Sequence, residues 1–193
     1  DQQPIPDPAA FARNMVEVAK RCRKLVAEFM ERQDIVRKNV NFDPQNLVTA
    51  YLEMTAKIIS NPSYMLDAQV KLWKDYAQLV QSATKRLLGE KPSPVIAPSK
   101  SDKRFKDKSW EENQAFDFIK QSYLLAARWI QNTVHDVEGL DPKTKKKVEF
   151  YTRQFVDAIA PSNFVLTNPE VLRVTIESNG ENLVRGLDHV LED

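Results

Sequence analysis

The sequence predicts an all-α protein, bundle-like, with about six helices and a Pro-rich linker in the middle. Three observations predict it. The 193 residues hold only 4 Gly against 11 Pro, whereas a sheet-rich fold with many tight turns draws on Gly for positive φ. Asp or Asn followed by Pro recurs at Asp7-Pro8, Asp43-Pro44, Asn61-Pro62, Asp141-Pro142 and Asn168-Pro169. Such a pair starts a helix, because the side-chain oxygen caps an orphan N–H and Pro removes one that would have no partner. After each pair, apolar residues return at steps of three and four.

The first helix is predicted from about Pro8 to Gln33. Phe11, Met15, Val18, Cys22, Leu25 and Phe29 form an a/d seam, the pattern of a helix lying along another. Arg13, Glu17, Lys20, Lys24 and Glu28 fill the other face. The second, about Pro44 to Ile59, repeats the spacing with Leu47, Tyr51, Met54 and Ile58. The third, about Pro62 to Leu88, carries Leu66, Trp73, Tyr76, Val80, Ala83 and Leu87, with Gly89 placed for a C-terminal cap. This stripe reads either as core against the first two helices or as an amphipathic surface that docks on a partner.

Lys91 to Lys108 holds Pro92, Pro94 and Pro98 and then Lys100, Lys103, Arg104, Lys106 and Lys108, and it reads as an extended, solvated linker. The expected organisation is therefore a helical leader over 1–90, a Pro/Lys-rich linker over 91–108 and a second helical region over 109–193. Ser109-Trp110-Glu111-Glu112 matches a capping box and opens a helix expected to reach Val137, with Phe116, Ile119, Tyr123, Ala126 and Ile130 on one face and Gly139 after it. From about Pro142 to Ile159, Val148, Tyr151, Phe155 and Ile159 are expected inward, and Pro161 ends the helix. Phe164 and Leu166 are expected to plug into the core. Two short helices, about Pro169 to Glu177 and Glu181 to Leu191, are separated by Asn179-Gly180.

Composition excludes several functions. A net charge of +1 with 28% charged residues is not that of a dedicated nucleic-acid binder. The cluster Lys143, Lys145, Lys146 and Lys147 reads as a solvated face, since no aromatic stacking platform accompanies it; a bridge to nucleic acid is the weaker alternative. No apolar run reaches the roughly 18 to 20 residues of a membrane span. No signal peptide is visible, and a start at Asp1 rather than Met is expected of a trimmed chain.

No catalytic machinery is expected either. Cys22 is the only cysteine, which excludes an internal disulfide and fits a reducing compartment. With no flanking Gly it lacks a nucleophile elbow, and it reads as a packed seam residue. His135 beside Asp136 and His189 beside Asp188 read as surface histidines, because adjacent residues do not share a helix face. Neither C-x-x-C nor H-E-x-x-H nor a phosphate-binding Gly motif is present. No catalytic residue, metal ligand or cofactor is expected, and the chain reads as a binding and assembly unit.

Asp102-Lys103-Arg104-Phe105 with Trp110, and then Phe118-Ile119-Lys120-Gln121-Ser122-Tyr123-Leu124-Leu125, resemble the N-terminal region of class I polyhydroxyalkanoate synthases. So do Phe150-Tyr151-Thr152-Arg153-Gln154-Phe155-Val156-Asp157-Ala158, Pro161-Ser162-Asn163-Phe164, Thr167-Asn168-Pro169-Glu170 and Glu177-Ser178-Asn179-Gly180-Glu181-Asn182-Leu183. The similarity runs from about Asp102 to Asp193, while the first hundred residues read as a variable helical leader. It implies a cytoplasmic acyltransferase that polymerises (R)-3-hydroxyacyl-CoA to polyester at the surface of a storage granule. That enzyme's G-x-C-x-G box and Cys-His-Asp triad lie in an α/β-hydrolase domain whose motifs are not found in this sequence, so the chain alone is expected to be inactive. The resemblance further implies support of that catalytic domain, dimerisation, and contact with the granule or its proteins. Val18, Leu25 and Phe29 on the first helix and Leu66, Trp73, Tyr76 and Val80 on the third are candidate contact surfaces. Trp129, Phe155 and Phe164 are candidates for packing on the catalytic domain. A stand-alone granule-coat protein, similar in role to phasins, is the alternative.

Overall fold

A computed structural model describes residues 7–39 and 44–192, with side chains over 7–28 and 45–192. Among the described residues every regular element is helical: α1 Pro8–Asn39, α2 Pro44–Ile59, α3 Pro62–Leu87, α4 Ser109–Glu112, α5 Gln114–His135, α6 Pro142–Ala158, α7 Pro169–Glu177 and α8 Glu181–Glu192. The Asx-Pro starts are borne out where they can be seen. Asp7 Oδ1 accepts from Ala9 N at 2.9 Å, Asn61 Oδ1 from Tyr64 N at 3.4 Å, and Asp141 Oδ1 from Lys143 N and Thr144 N at 3.0 and 3.1 Å. Asp43 lies outside the described residues. The chain forms two compact units, Asp1–Phe42 with Pro169–Asp193, and Asp43–Asn168.

In the first unit α8 packs along α1. Arg21 holds Asp188 through Nε and, at 3.3 Å, through Nη2. Asn14 Nδ2 donates to Asn179 O at 2.9 Å, and Asp7 N donates to Asn179 Oδ1 at 2.8 Å. The turn between α7 and α8 depends on Asn179 and Gly180, with φ of +50° and +84°. A Cβ on Gly180 would stand 2.6 Å from Met15 Cε, so this residue meets both a left-handed backbone and a close neighbour. α1 runs to Asn39, past the expected end at Gln33. No Gly or Pro interrupts 34–39, and the helix continues beyond the part whose apolar spacing marked it. Cys22, expected to be packed in the seam, is exposed.

In the second unit α5 touches α3 and α6, and α2 touches the same two helices, so the four long helices close into a bundle. Ala50, Met54, Val134, Val137 and Val148 form its buried core, with Tyr51, Ile58, Tyr64 and Leu140 packed against them. An aromatic group forms a second cluster. Trp110 is 1% exposed, and its ring meets Phe105 edge-on at 5.0 Å and Phe116 at 5.9 Å.

Several expectations are corrected here. The helix expected from Trp110 to Val137 is two helices, because Asn113 (φ −90°, ψ 120°) breaks it and caps α5 through Ala115 N and Phe116 N. Ser109 makes no capping box: it lies inside α4, and its own N–H donates to Asp107 Oδ1 at 2.9 Å. On α6 the inward residues are Val148, Thr152 and Val156. Phe155 is exposed although it shares a face with Val148, and Ile159, just past the helix end at Ala158, is exposed too. Phe164 and Leu166 do not plug the core; both are exposed. Their turn is held by polar groups instead, with Thr167 Oγ1 donating to Pro161 O and Asn168 Nδ2 to Ser162 O, each at 2.7 Å. After α3 the C-terminal cap expected at Gly89 is present, as a Schellman motif: φ is +87°, Gly89 N donates to Arg86 O and Glu90 N to Lys85 O, each at 3.0 Å.

Candidate functional site

Two polar clusters sit inside the second unit. On α5, Asp117, Lys120 and Gln121 share one helix face and are all buried. Asp117 is paired with Arg86 of α3, and with Lys120 Nζ at 3.0 Å. Gln121 Nε2 donates to Asp117 Oδ2 at 2.7 Å. Lys120 Nζ also donates to Trp110 O at 2.9 Å, and Arg86 Nη2 to Glu111 O at 2.9 Å. Gln121 Oε1 in turn accepts from Val95 N at 2.8 Å and Ile96 N at 3.3 Å. The Pro-rich stretch is therefore bound to α5 where solvation was expected. Every polar group of the cluster has a partner, which is the signature of a structural lock.

The second cluster centres on Arg104. Its Nε and Nη2 grip both oxygens of Asp102 at 2.9 Å, and its Nη1 reaches Tyr123 Oη at 3.0 Å and Asp157 Oδ1 at 2.9 Å. Its guanidinium also lies 5.6 Å from the centroid of the Tyr123 ring. Tyr123 donates onward to Val156 O at 3.0 Å, so one arginine ties the Pro-rich stretch to α5 and α6. The hydrogen bond from Arg104 holds the Asp102 carboxyl below its usual range, and the same bond pushes Arg104 up. Burial, ahead of Arg104's opposing charge, pushes the Tyr123 phenol up.

Neither cluster presents a nucleophile beside a base. No group of three His, Cys, Asp or Glu side chains lies together among the described residues. His135 Nδ1 lies 2.8 Å from Glu149 Oε1 on the surface. Lys147, from the basic run, reaches Asn46 of α2. Among the described residues no helix is long and apolar enough to cross a membrane.

The unusual feature is apolar surface. On α3, Leu66, Trp73, Val80 and Leu87 are exposed by 65, 69, 54 and 75%, and Val70 by 67%. Of the two readings of this stripe, the core reading fails for these residues. The inward face of α3 is instead the row that holds Leu79, 1% exposed, and Ser82. Tyr76 belongs to that inner side: burial pushes its phenol up, and its hydroxyl donates to Ser122 O at 3.0 Å. Trp129 is half-buried, its Nε1 donating to Ala68 O of α3 at 3.0 Å. Phe155 and Phe164 stay exposed, joined by Phe150, Ile159 and Leu166. On α1, Val18 and Leu25 are half-buried, and the side chain of Phe29 lies outside the described residues. Val70, four residues after Leu66 and three before Trp73, is a further member of the stripe that the sequence reading leaves out. The buried Asp117, Lys120 and Gln121 were missed because charge reads as surface, although their i, i+3, i+4 spacing was legible.

Residues 101–193 match the family described as "Poly-beta-hydroxybutyrate polymerase (PhaC) N-terminus". The chain is 39% identical over 97% of its length to a poly(3-hydroxyalkanoate) polymerase of Methylorubrum extorquens, covering 33% of that protein. It is 32% identical over 98% of its length to the polymerase subunit PhaC of Rhizobium meliloti, covering 31% of it. To the corresponding subunit of Cupriavidus necator it is 34% identical over 74% of its length, covering 23%. The chain thus spans about a third of the length of the first relatives it matches. No solved structure matches it.

Proposed function

Residues 101–193 of this chain belong to the family of poly-beta-hydroxybutyrate polymerase N-termini, and on that premise we propose that the chain is the non-catalytic N-terminal region of a polymerase that converts (R)-3-hydroxyacyl-CoA to polyester. It supports the catalytic domain, contributes to self-association and contacts the storage granule or its proteins, in the cytoplasm at the granule surface. Residues 1–90 act as a helical leader, joined through 91–108 to the family region.

One observation carries the reading. Within the family region Phe155 on α6, Ile159 at its end and Phe164 and Leu166 in the turn after it are exposed, while Val148, Val156 and Ala160 are sealed. Four large apolar side chains left in water within twelve residues are available for contact with another body. The relatives carry roughly two thirds of their length beyond the matched part, and a catalytic domain is the nearest candidate to cover that surface.

The test uses a polymerase catalytic domain assayed for CoA release from 3-hydroxybutyryl-CoA, with and without this chain. The chain alone is expected to release none, and to stimulate the domain when present. Phe155→Ser with Phe164→Ser is expected to weaken the stimulation about 10-fold or more, the loss typical of two anchoring aromatics. Turnover by the chain alone, or full stimulation by the double variant, overturns the reading. The second reading, a stand-alone granule-coat protein, draws on the same exposed apolar surface. Attachment to polymer without any synthase, from a gene whose frame closes near Asp193, would favour it.

A further inference from the structure

The exposed stripe on α3 lies before the family region and outside the surface just assigned. Leu66, Val70, Trp73, Ala77, Val80 and Leu87 fall at steps of four, three, four, three and seven, and all six are exposed. Thr84 fills the one polar place in the register. The stripe is about three heptads and some 32 Å long at about 1.5 Å per residue. Its width is that of a single a/d seam. A flat apolar surface would be met by a broad apolar face, whereas a narrow seam of this period fits one partner helix.

The charges beside the seam identify that helix. Asp67 and Lys85 stand five full turns apart at about 3.6 residues per turn, and so lie on the same flank of α3; Lys74 lies on that flank between them. Two copies of α3 side by side in parallel would put the Asp67 flanks on opposite sides of the two-fold axis, so that Asp67 of each copy meets no lysine of the other. In antiparallel pairing Asp67 of each copy comes opposite Lys85 of the other. Shape gives the same answer. Near the C-terminal end of the stripe, α3 and α5 enclose an apolar groove of about 470 Å³, walled by Leu79, Ala83, Leu87, Ala115 and Phe118. Antiparallel pairing centred near Ala77 brings Leu66 of the second copy to that groove. It also lays Trp73 of the second copy beside Val80, with the small Ala77 at the centre.

We propose that α3 is a self-recognition helix: two copies of this chain pair through antiparallel α3 seams centred at Ala77. The proposal deepens the self-association part of the function given above and rests on it. The seam of α1 is less free for this purpose, because α8 already packs along that helix.

The test uses the whole chain in a Cys22→Ser background, since Cys22 is exposed. Sedimentation is expected to give twice the chain mass, and Trp73→Glu with Val80→Glu to give the single mass with unchanged far-UV circular dichroism. Val18→Glu with Leu25→Glu on α1 is expected to leave the dimer intact. Ala77→Cys is expected to form a disulfide-linked dimer on mild oxidation. Leu66→Cys alone is expected to form none, and an equal mixture of Leu66→Cys and Leu87→Cys chains to cross-link. A monomeric parent chain, a dimer that survives the α3 double variant, or self-cross-linking of Leu66→Cys as in a parallel pair would overturn the proposal. Because these readouts are mass and cross-linking, failure here is distinct from failure of the CoA-release test.

Discussion

Asp117 is a buried carboxylate answered by two cations, Arg86 and Lys120. Truncating one partner of such a set leaves the others desolvated and unpaired, which costs about 3–5 kcal/mol. Asp117→Ala is therefore expected to lower stability by about that amount in urea denaturation, and more than Lys120→Met, which leaves the Arg86 pair in place. Asp102 answers to pH. Its folded pKa is depressed by Arg104, so its contribution is fully present above the unfolded value and lost as pH falls through the folded one. Asp102→Asn is expected to cost about 1 kcal/mol at neutral pH. The gap between variant and parent should shrink as pH drops below about 4. Equal urea midpoints at pH 7 would refute the role given to this pair. In the sequence Arg104 reads as part of a basic run and of a family block. Its three partners, Asp102, Tyr123 and Asp157, come from three separate segments, and no local spacing brings all of them together.

At the scale of elements, the helix starts were the most legible feature, because a cap and a first-turn Pro act within a few residues of each other. The break at Asn113 was less so. Ser109-Trp110-Glu111-Glu112 offers a capping box, and Asn113 competes with it as a cap of at least equal strength. Trp110 decides the contest: the turn that carries it folds under Phe105 and Phe116, and α5 then starts anew. Asn113→Ala removes the acceptor for Ala115 N and Phe116 N. It is expected to cost about 1 kcal/mol, seen as a lower melting temperature and faster amide exchange in the first turn of α5. Faster exchange confined to α4 would place the cap elsewhere. On α6, spacing alone allowed two rows, one through Phe155 and one through Val156. The larger residue was expected inside, and the neighbouring helices accept the smaller.

At the scale of the molecule, a buried Trp of this kind is a large share of what holds a unit folded. Trp110→Ala is expected to cost about 3–5 kcal/mol against a typical total of about 5–15 kcal/mol for a domain. The variant should then unfold well before the parent in urea, with the second unit affected first. A midpoint close to that of the parent would mean the aromatic cluster is dispensable. The exposed phenylalanines of α6 and the seam of α3 carry no such share. Their replacement should leave folding intact while changing what the chain binds, which separates the residues that build the bundle from those available to partners.

The sequence by itself determined the helical class, the positions of most helix starts, a C-terminal cap at Gly89 and the family whose N-terminal region residues 101–193 match. These rest on short-range chemistry and on blocks of residues in order. Tertiary structure alone decided which of two apolar rows on α3 and α6 turns inward, that the Pro-rich stretch is bound through Gln121 and Arg104, and that Trp129 and Tyr76 are half-buried with their polar atoms hydrogen-bonded between α3 and α5. Periodicity states that a helix has an apolar face and how wide it is. Which face finds a neighbour depends on the fit and the polar partners supplied by distant segments, and that information is not local to the helix.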